Sequence, residues 1–325
     1  MSKPVALDAM GGDYAPRETV AGALLAAKEG VPVVLVGDQE KLRQELADQG
    51  GDLPVVHAAE VIEMHAQATE VRRRRQASIN VAMRLVKDGE AEAAVSMGHS
   101  GATMAAALFV LGRIRGFERP AILAEIPSAA PSGRVHLIDA GANADVRPAH
   151  LVQFARLGSA YAELMSGVSQ PRVGLLSIGE EASKGNQLVL EAHPLLARAG
   201  LNFVGNVEGR DVLADVADVV VTDGFTGNVV LKLAEGEARI LFGWIKEALG
   251  SSLKAKLGAL LVKDALKSLA ARMDPAEYGA MPLLGVRGPA FIGHGASDRR
   301  AVKNALVRAH KMAASGLMDV LSGVE

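Results

Sequence analysis

DVVVTDGFTGNVVLK, residues 218–232, decides how the rest of the chain is read. Val219 to Val221 are β-branched and apolar, which suits a buried strand. The strand ends in Thr222 and Asp223, and Gly224, Phe225, Thr226, Gly227 and Asn228 read as a turn. From Val229 the pattern predicts a helix. A strand, a glycine-rich turn and a helix in that order gather backbone N–H groups, an amide and a hydroxyl at a helix N-terminus. Such a terminus favours an anion. The device recurs: AAVSMGHSG over 93–101 runs into the helical ATMAAALFVLG, and VGLLSIGEEASKG occupies 173–185. Several polar, glycine-rich strand ends in one chain predict a crevice that holds phosphate.

Working outward, short apolar runs alternate with amphipathic stretches. Strands are expected at Val5–Leu7, Val33–Val36, Val55–Val56, Ala93–Val95, Ile122–Ile126, Val135–Ile138, Val173–Ile178, Phe203–Val204, Val219–Val221 and Phe291–Ile292. Helices such as Glu18–Glu29 and Lys41–Gln49 lie between them. This alternation marks a parallel α/β architecture, a sheet covered on both faces in three αβα layers. No linker divides residues 1–325, so one α/β catalytic unit is expected. Residues 233–273 break the rhythm with a mostly helical excursion. There Leu253, Leu257, Leu260 and Leu261 share a helix face, with Lys256, Lys263 and Lys267 as a stripe beside it. The excursion suits a dimer or core-packing element, or contact with a membrane surface.

Composition narrows the function classes. Aromatic residues are only 3% of the 325, so Ala, Val, Leu and Ile must fill the core. A net charge of −2 argues against broad nucleic-acid binding. The absence of cysteine excludes disulfides, thiolate metal sites and a cysteine acyl-enzyme. No run approaches the roughly 20 apolar residues of a membrane span. A cytoplasmic protein that touches membranes only peripherally is expected.

Asp8 follows the first strand, and Gly11 and Gly12 allow a tight turn or close approach to a ligand. Neither the dinucleotide fingerprint nor the Walker pattern occurs. Gly98, His99, Ser100 and Gly101 nearly spell a nucleophile elbow, but Ala102 stands where its last glycine belongs. A ligand-contacting turn is the better reading. Asn143 follows another strand, placed either to donate to an oxygen of phosphate or to stabilise its own turn. Gly179 and Lys184, at the end of a further strand, read as a phosphate clamp or as a solvated surface turn. Arg72 to Arg75 point around a helix and cannot all face one ligand. The eight histidines lack metal-ligand spacing, and no metal is inferred.

Six segments in order, LDAMGGDYAP, LIDAGANAD, VGLLSIGEEASKG, FVGNVEGRD, DVVVTDGFTGNVVLK and EYGAMPLLGVRG, resemble the successive motifs of the bacterial phosphate acyltransferases. The likeness runs from Val5 to about His310. It implies a fold similar to phosphotransacetylases and the isocitrate/isopropylmalate dehydrogenase group. It also implies transfer of a fatty acyl chain from acyl carrier protein to inorganic phosphate, giving acyl phosphate for phospholipid synthesis without a cofactor. The implied partners are a second copy of the chain, the membrane surface and a downstream glycerol-3-phosphate acyltransferase. Carried onto this chain, the resemblance puts Lys184, Asn143, Asp223 and Asn228 in the catalytic role. Asp8, Gly11, Gly12, Gly98, His99, Ser100, Gly101, Gly179, Thr226 and Gly227 would contact substrate.

The chain departs from the pattern at His99, where the family has an amide, and at Met64–Ala68 and Arg75–Ile79. Three rivals remain open at this point. They are a phosphotransacetylase-like enzyme using a short acyl-CoA, a dehydrogenase-like oxidoreductase, and a non-catalytic membrane scaffold.

Overall fold

The computed structural model describes residues 3–323. Eleven strands form one sheet: β1 (Val5–Asp8), β2 (Val33–Gly37), β3 (Val55–His57), β4 (Ala93–Ser96), β5 (Ala121–Pro127), β6 (Arg134–Ile138), β7 (Val173–Ser177), β8 (Phe203–Glu208), β9 (Val219–Val221), β10 (Ala280–Leu284) and β11 (Ala290–Gly293). The helices are α1 (Arg17–Lys28), α2 (Gln39–Asp48), α3 (Ser78–Lys87), α4 (Ser100–Ala106), α5 (Pro148–Ser166), α6 (Gln187–Ala197), α7 (Gly224–Gly250), α8 (Leu253–Leu261), α9 (Lys263–Met273), α10 (Arg299–Ala314) and α11 (Leu317–Gly323).

The sheet order is β3-β2-β1-β4-β11-β10-β5-β6-β9-β7-β8. β1 pairs in parallel with β2 and β4, β2 with β3, and β4 with β11. On the other side β6, β9, β7 and β8 are parallel to one another. β10 is antiparallel to both β11 and β5, and β5 is antiparallel to β6. The two parallel blocks therefore run in opposite directions, and their loops leave in opposite senses.

Strand alternation builds two cores. Val5 and Leu7 face one apolar cluster with residues of α1, α2, α5, α6 and α10. Ala6, Val34 and Val36 face the other, with Ile79 of α3, Ala102 of α4 and Leu231 of α7. Both faces are thus covered, giving the expected three layers.

Four readings need correction. β10 was not expected. Its Pro282 lacks an N–H, but that residue sits ahead of the pairing with β5, which involves Leu283 and Leu284. Helix α7 starts at Gly224, not Val229, and runs unbroken through Gly236 and Gly243. The lysine stripe is split, with Lys256 on α8 and Lys263 and Lys267 on α9. Arg72 to Arg75 also lie off the helix, in a 3-10 turn (Ala68–Arg72) and the loop after it. Arg74 pairs there with Glu70 at 2.9 Å, and Arg72 covers the Phe109 ring at 4.1 Å.

Candidate active site

β6 and β9 are adjacent and parallel, with Ile138 opposite Val221. The chains leaving them stay together: Asp139 N donates to Thr222 O at 3.1 Å, and Thr222 N to Ile138 O at 2.8 Å. Asp139 is fully buried. Its Oδ1 accepts from the N–H groups of Ile122 (3.1 Å), Gly141 (3.1 Å) and Ala142 (2.8 Å). Its Oδ2 accepts from Asn143 N and Asn143 Nδ2, both at 2.8 Å. Burial pushes the carboxyl above its ordinary range, and these donors pull it back.

Asn143 is committed to the turn. Its second amide hydrogen goes to Pro120 O at 2.7 Å, and its Oδ1 accepts from Arg119 Nη1 at 3.4 Å. No hydrogen of this side chain is left to donate to phosphate, which corrects that part of the sequence reading. Of the two sequence readings, the structure shows the turn-stabilising one.

Helix α7 is seated on this turn. Gly224 N donates to Asn143 O at 2.7 Å. A Cβ at Gly227 would lie 1.9 Å from Asp139 O, and one at Gly224 would lie 2.7 Å from Asn143 N and O. The glycines let helix and turn touch. Asp223 caps the helix, accepting from Thr226 N and Thr226 Oγ1, both at 2.8 Å. The anion-suited terminus is therefore partly filled by the protein's own groups. Among the described residues, the Phe225 N–H and the exposed Asn228 amide have no hydrogen-bond partner there.

Strand β7 runs beside β9 with Leu175 opposite Val221, so the loop after β7 rises at the same end of the sheet. Its fold is internal: Lys184 N donates to Glu181 O at 2.9 Å, and Asn186 caps α6 through Val189 N at 3.0 Å. Gly179 packs against the Lys184 stem. Lys184 itself is exposed, with no ion pair among the described residues. Lys184, Asn228 and the Phe225 N–H thus offer one cation and two neutral donor groups at the carboxyl ends of β7 and β9. That set suits an oxyanion.

The second nest follows the same plan on β1 and β4. Asp8, opposite Ser96 in register, is 4% exposed. Its Oδ2 accepts from Ser96 Oγ at 2.7 Å, and that hydroxyl in turn accepts from Gly98 N at 3.0 Å. Asp8 Oδ1 and Ser78 Oγ are both buried with no hydrogen-bond partner. Burial pushes the Asp8 carboxyl up, against the pull of the Ser78 and Ser96 hydroxyls beside it. Gly11 and Gly98 pack against each other. Gly12 sits at φ +109° against Gly295 and Met97. His99 Nδ1 accepts from Ala102 N at 3.0 Å and so caps α4. A ring nitrogen thereby does what an amide oxygen does at an N-cap, which explains why histidine is accommodated. Gly101 lies under that ring, and the Ser100 hydroxyl is exposed.

The site residues expected from sequence thus fall into two groups. Asn143, Gly179, Lys184, Asp223, Thr226, Gly227 and Asn228 share one end of the β6-β9-β7 block. Asp8, Gly11, Gly12, Gly98, His99, Ser100 and Gly101 share an end of the oppositely running β1-β4 block. Among the described residues no hydrogen bond joins the two. Asp139, Ser78, Ser96 and Arg119 were not among the site residues expected from sequence. Asp139 alone carried a signal, as the first residue after the Val135–Ile138 strand. Glu180, Glu208 and Asp211 bring carboxylates within 4.8 Å of one another, but Arg210 already lies among them, 2.6 Å from Glu208.

Residues 4–319 match the family described as fatty acid synthesis protein. A phosphate acyltransferase of Thermus thermophilus is 65% identical over 315 residues, covering 97% of this chain and 96% of that protein. One from Pelotomaculum thermopropionicum is 52% identical, covering 99% and 95%. Among solved structures, a phosphotransacetylase from Streptococcus pyogenes superposes with a TM-score of 0.63 at 17% identity, covering 96% of this chain and 94% of that one. The 4-hydroxythreonine-4-phosphate dehydrogenase of Klebsiella pneumoniae gives 0.57 at 14%, covering 96% and 100%. These two likenesses show a shared fold.

Proposed function

The chain belongs to the phosphate acyltransferase family of fatty acid synthesis proteins and is an enzyme, and from that premise we propose that it moves a fatty acyl group from acyl carrier protein to inorganic phosphate. A phosphate oxygen attacks the thioester carbonyl carbon. The tetrahedral intermediate collapses, the C–S bond breaks, and the pantetheine thiolate leaves to take up a proton. The product is an acyl phosphate, an activated donor for glycerol-3-phosphate acylation.

The observation that carries the reading is the exposed, unpaired Lys184 on the same sheet end as the free Asn228 amide and Phe225 N–H. The ammonium would neutralise phosphate as it approaches the carbonyl, and the two donors would hold its oxygens. Positioning of this kind supplies up to about 7–11 kcal/mol of a barrier in ideal cases. Asp139 and Asn143 act through the turn they build, so they are positioning residues.

The donor is tested by offering long-chain acyl carrier protein and acetyl-CoA in parallel, at equal phosphate. The carrier-bound chain is expected to be consumed at least tenfold more efficiently. A preference for acetyl-CoA would instead make this a short-chain phosphotransacetylase.

The excursion supports two further parts of the proposal, a homodimer and peripheral contact with membrane. No helix among the described residues is long and apolar enough to cross a membrane. Yet Leu253 and Leu261 on α8 are 80% and 88% exposed, and Trp244 on α7 is 65% exposed. Apolar surface of this kind calls for a partner. Lysines near an anionic bilayer contribute about 1 kcal/mol each at low screening. Changing Lys256, Lys263 and Lys267 to glutamate should therefore strip the protein from anionic vesicles in flotation and leave its oligomeric state unchanged. Leu257→Ser with Leu261→Ser should weaken flotation if these leucines meet lipid, and dissociate the protein if they meet a second copy. Undiminished flotation after both sets of changes would remove the excursion from the membrane account.

A further inference from the structure

Where the excursion returns to the body, α9 lies over the β5–β6 hairpin, α5 and α10, and a cavity of about 750 Å³ opens between them. This volume falls within the range of small-ligand sites. Leu123 of β5 belongs to the core cluster that includes α5 and α10 residues, and Glu125 points the same way to Tyr161 of α5. The cavity therefore lies on the sheet face opposite α4 and α7, away from both aspartate nests.

Its floor is a buried polar network. The Glu125 side chain is 2% exposed and pairs with Arg134 and Arg308. Tyr161 donates its hydroxyl to Glu125 at 3.0 Å and accepts from Arg308 Nη2 at 2.8 Å. Burial pulls the Arg308 guanidinium down to about 10, so it stays protonated at neutral pH. At the rim stand Arg272 from α9 and Lys311 from α10, both exposed and without an ion pair among the described residues. The cavity's second carboxylate, Glu277, is engaged by Arg300, which does not line the cavity.

Four cations thus share one available carboxylate. A concave surface with that surplus concentrates positive potential. The Arg272 guanidinium and the part of Arg134 not held by Glu125 match the oxygens of a tetrahedral oxyanion, while Arg308 is engaged by Glu125, Tyr161 and the Tyr278 carbonyl and adds charge from beneath. A dianion offsets more of the surplus than a carboxylate does. We propose that this cavity binds a phosphate-bearing anion, a soluble phosphomonoester or the headgroup of a phosphate lipid. Bridging Arg272 on α9 to Arg134 and Lys311 on the body, the anion would fasten the excursion in place.

Lys311 provides a readout that does not depend on activity. Its rate of acetylation by an amine-reactive reagent is followed by peptide mass spectrometry in the full-length protein. Glycerol phosphate and vesicles of phosphatidic acid are the probes, and phosphatidylcholine vesicles are the control. At least one probe is expected to slow acetylation several-fold, and which one does so identifies the source of the phosphate. The protection should vanish in Arg134→Gln/Arg272→Gln and persist in Lys184→Ala, which separates this cavity from phosphate at the active site. Arg272→Gln alone, on an exposed face, serves if the double change disturbs folding. Equal acetylation with every probe, or protection that survives loss of the arginines, would overturn the proposal.

Discussion

Asp139→Ala is expected to be the most damaging single substitution in the chain, costing about 3–5 kcal/mol of stability. The carboxylate, itself fully buried, collects four backbone N–H groups and the Asn143 amide. Alanine leaves all five donors without their acceptor, and the Ile122 N–H and both Asn143 donors are buried away from water. A buried donor stripped of its partner costs about 1–3 kcal/mol, and partial relaxation keeps the total below the simple sum. The damage spreads because α7 rests on the same turn through Gly224 and Gly227. Total stability of a domain is only about 5–15 kcal/mol, so such a loss removes a large share. Urea unfolding should show a much lower midpoint with a similar slope. A midpoint within the range of a surface alanine substitution would mean that the turn holds itself by other means.

Lys184→Ala is expected to leave that midpoint unchanged and strike the chemistry. The side chain is exposed and unpaired, so its removal opens no cavity and strands no partner. Loss of one charged hydrogen bond to phosphate is worth about 1.5–3 kcal/mol, or roughly a 10- to 150-fold fall in kcat/KM for phosphate. Lys184→Arg should recover part of it, because the charge returns in a different geometry. Unaltered phosphate dependence in a folded alanine variant would place Lys184 among ordinary solvated surface residues.

The α/β fold was legible because a buried parallel sheet needs consecutive apolar residues, and runs such as Val33–Val36 and Val219–Val221 have few other uses. β10 was hidden by Pro282 and the neighbouring glycines, which locally signal a loop. The true start of α7 was hidden for a related reason. Gly224 and Gly227 look like turn residues, yet they are helical and small because a carbonyl and a peptide lie against them. That is a tertiary demand with no local signature. The polar residues were located better than their roles were assigned. Asn143 is where it was expected, but its amide serves the Asp139 turn. Asp223 and Thr226 satisfy each other, and His99 turns out to be a helix cap. Ser78 and Ser96 were not named as site residues because nothing in a lone serine shows that it will be buried beside Asp8.

Direct transfer to phosphate is tested most plainly by stoichiometry. With acyl carrier protein carrying a long-chain thioester as donor, free thiol and acyl phosphate are measured in the same reaction, with and without inorganic phosphate. Intact-mass analysis of the enzyme is run alongside. The account requires one acyl phosphate per thiol released, no release without phosphate, and no acyl adduct on the enzyme. Thiol release without acyl phosphate, or a covalent acyl group on Ser100, would contradict it.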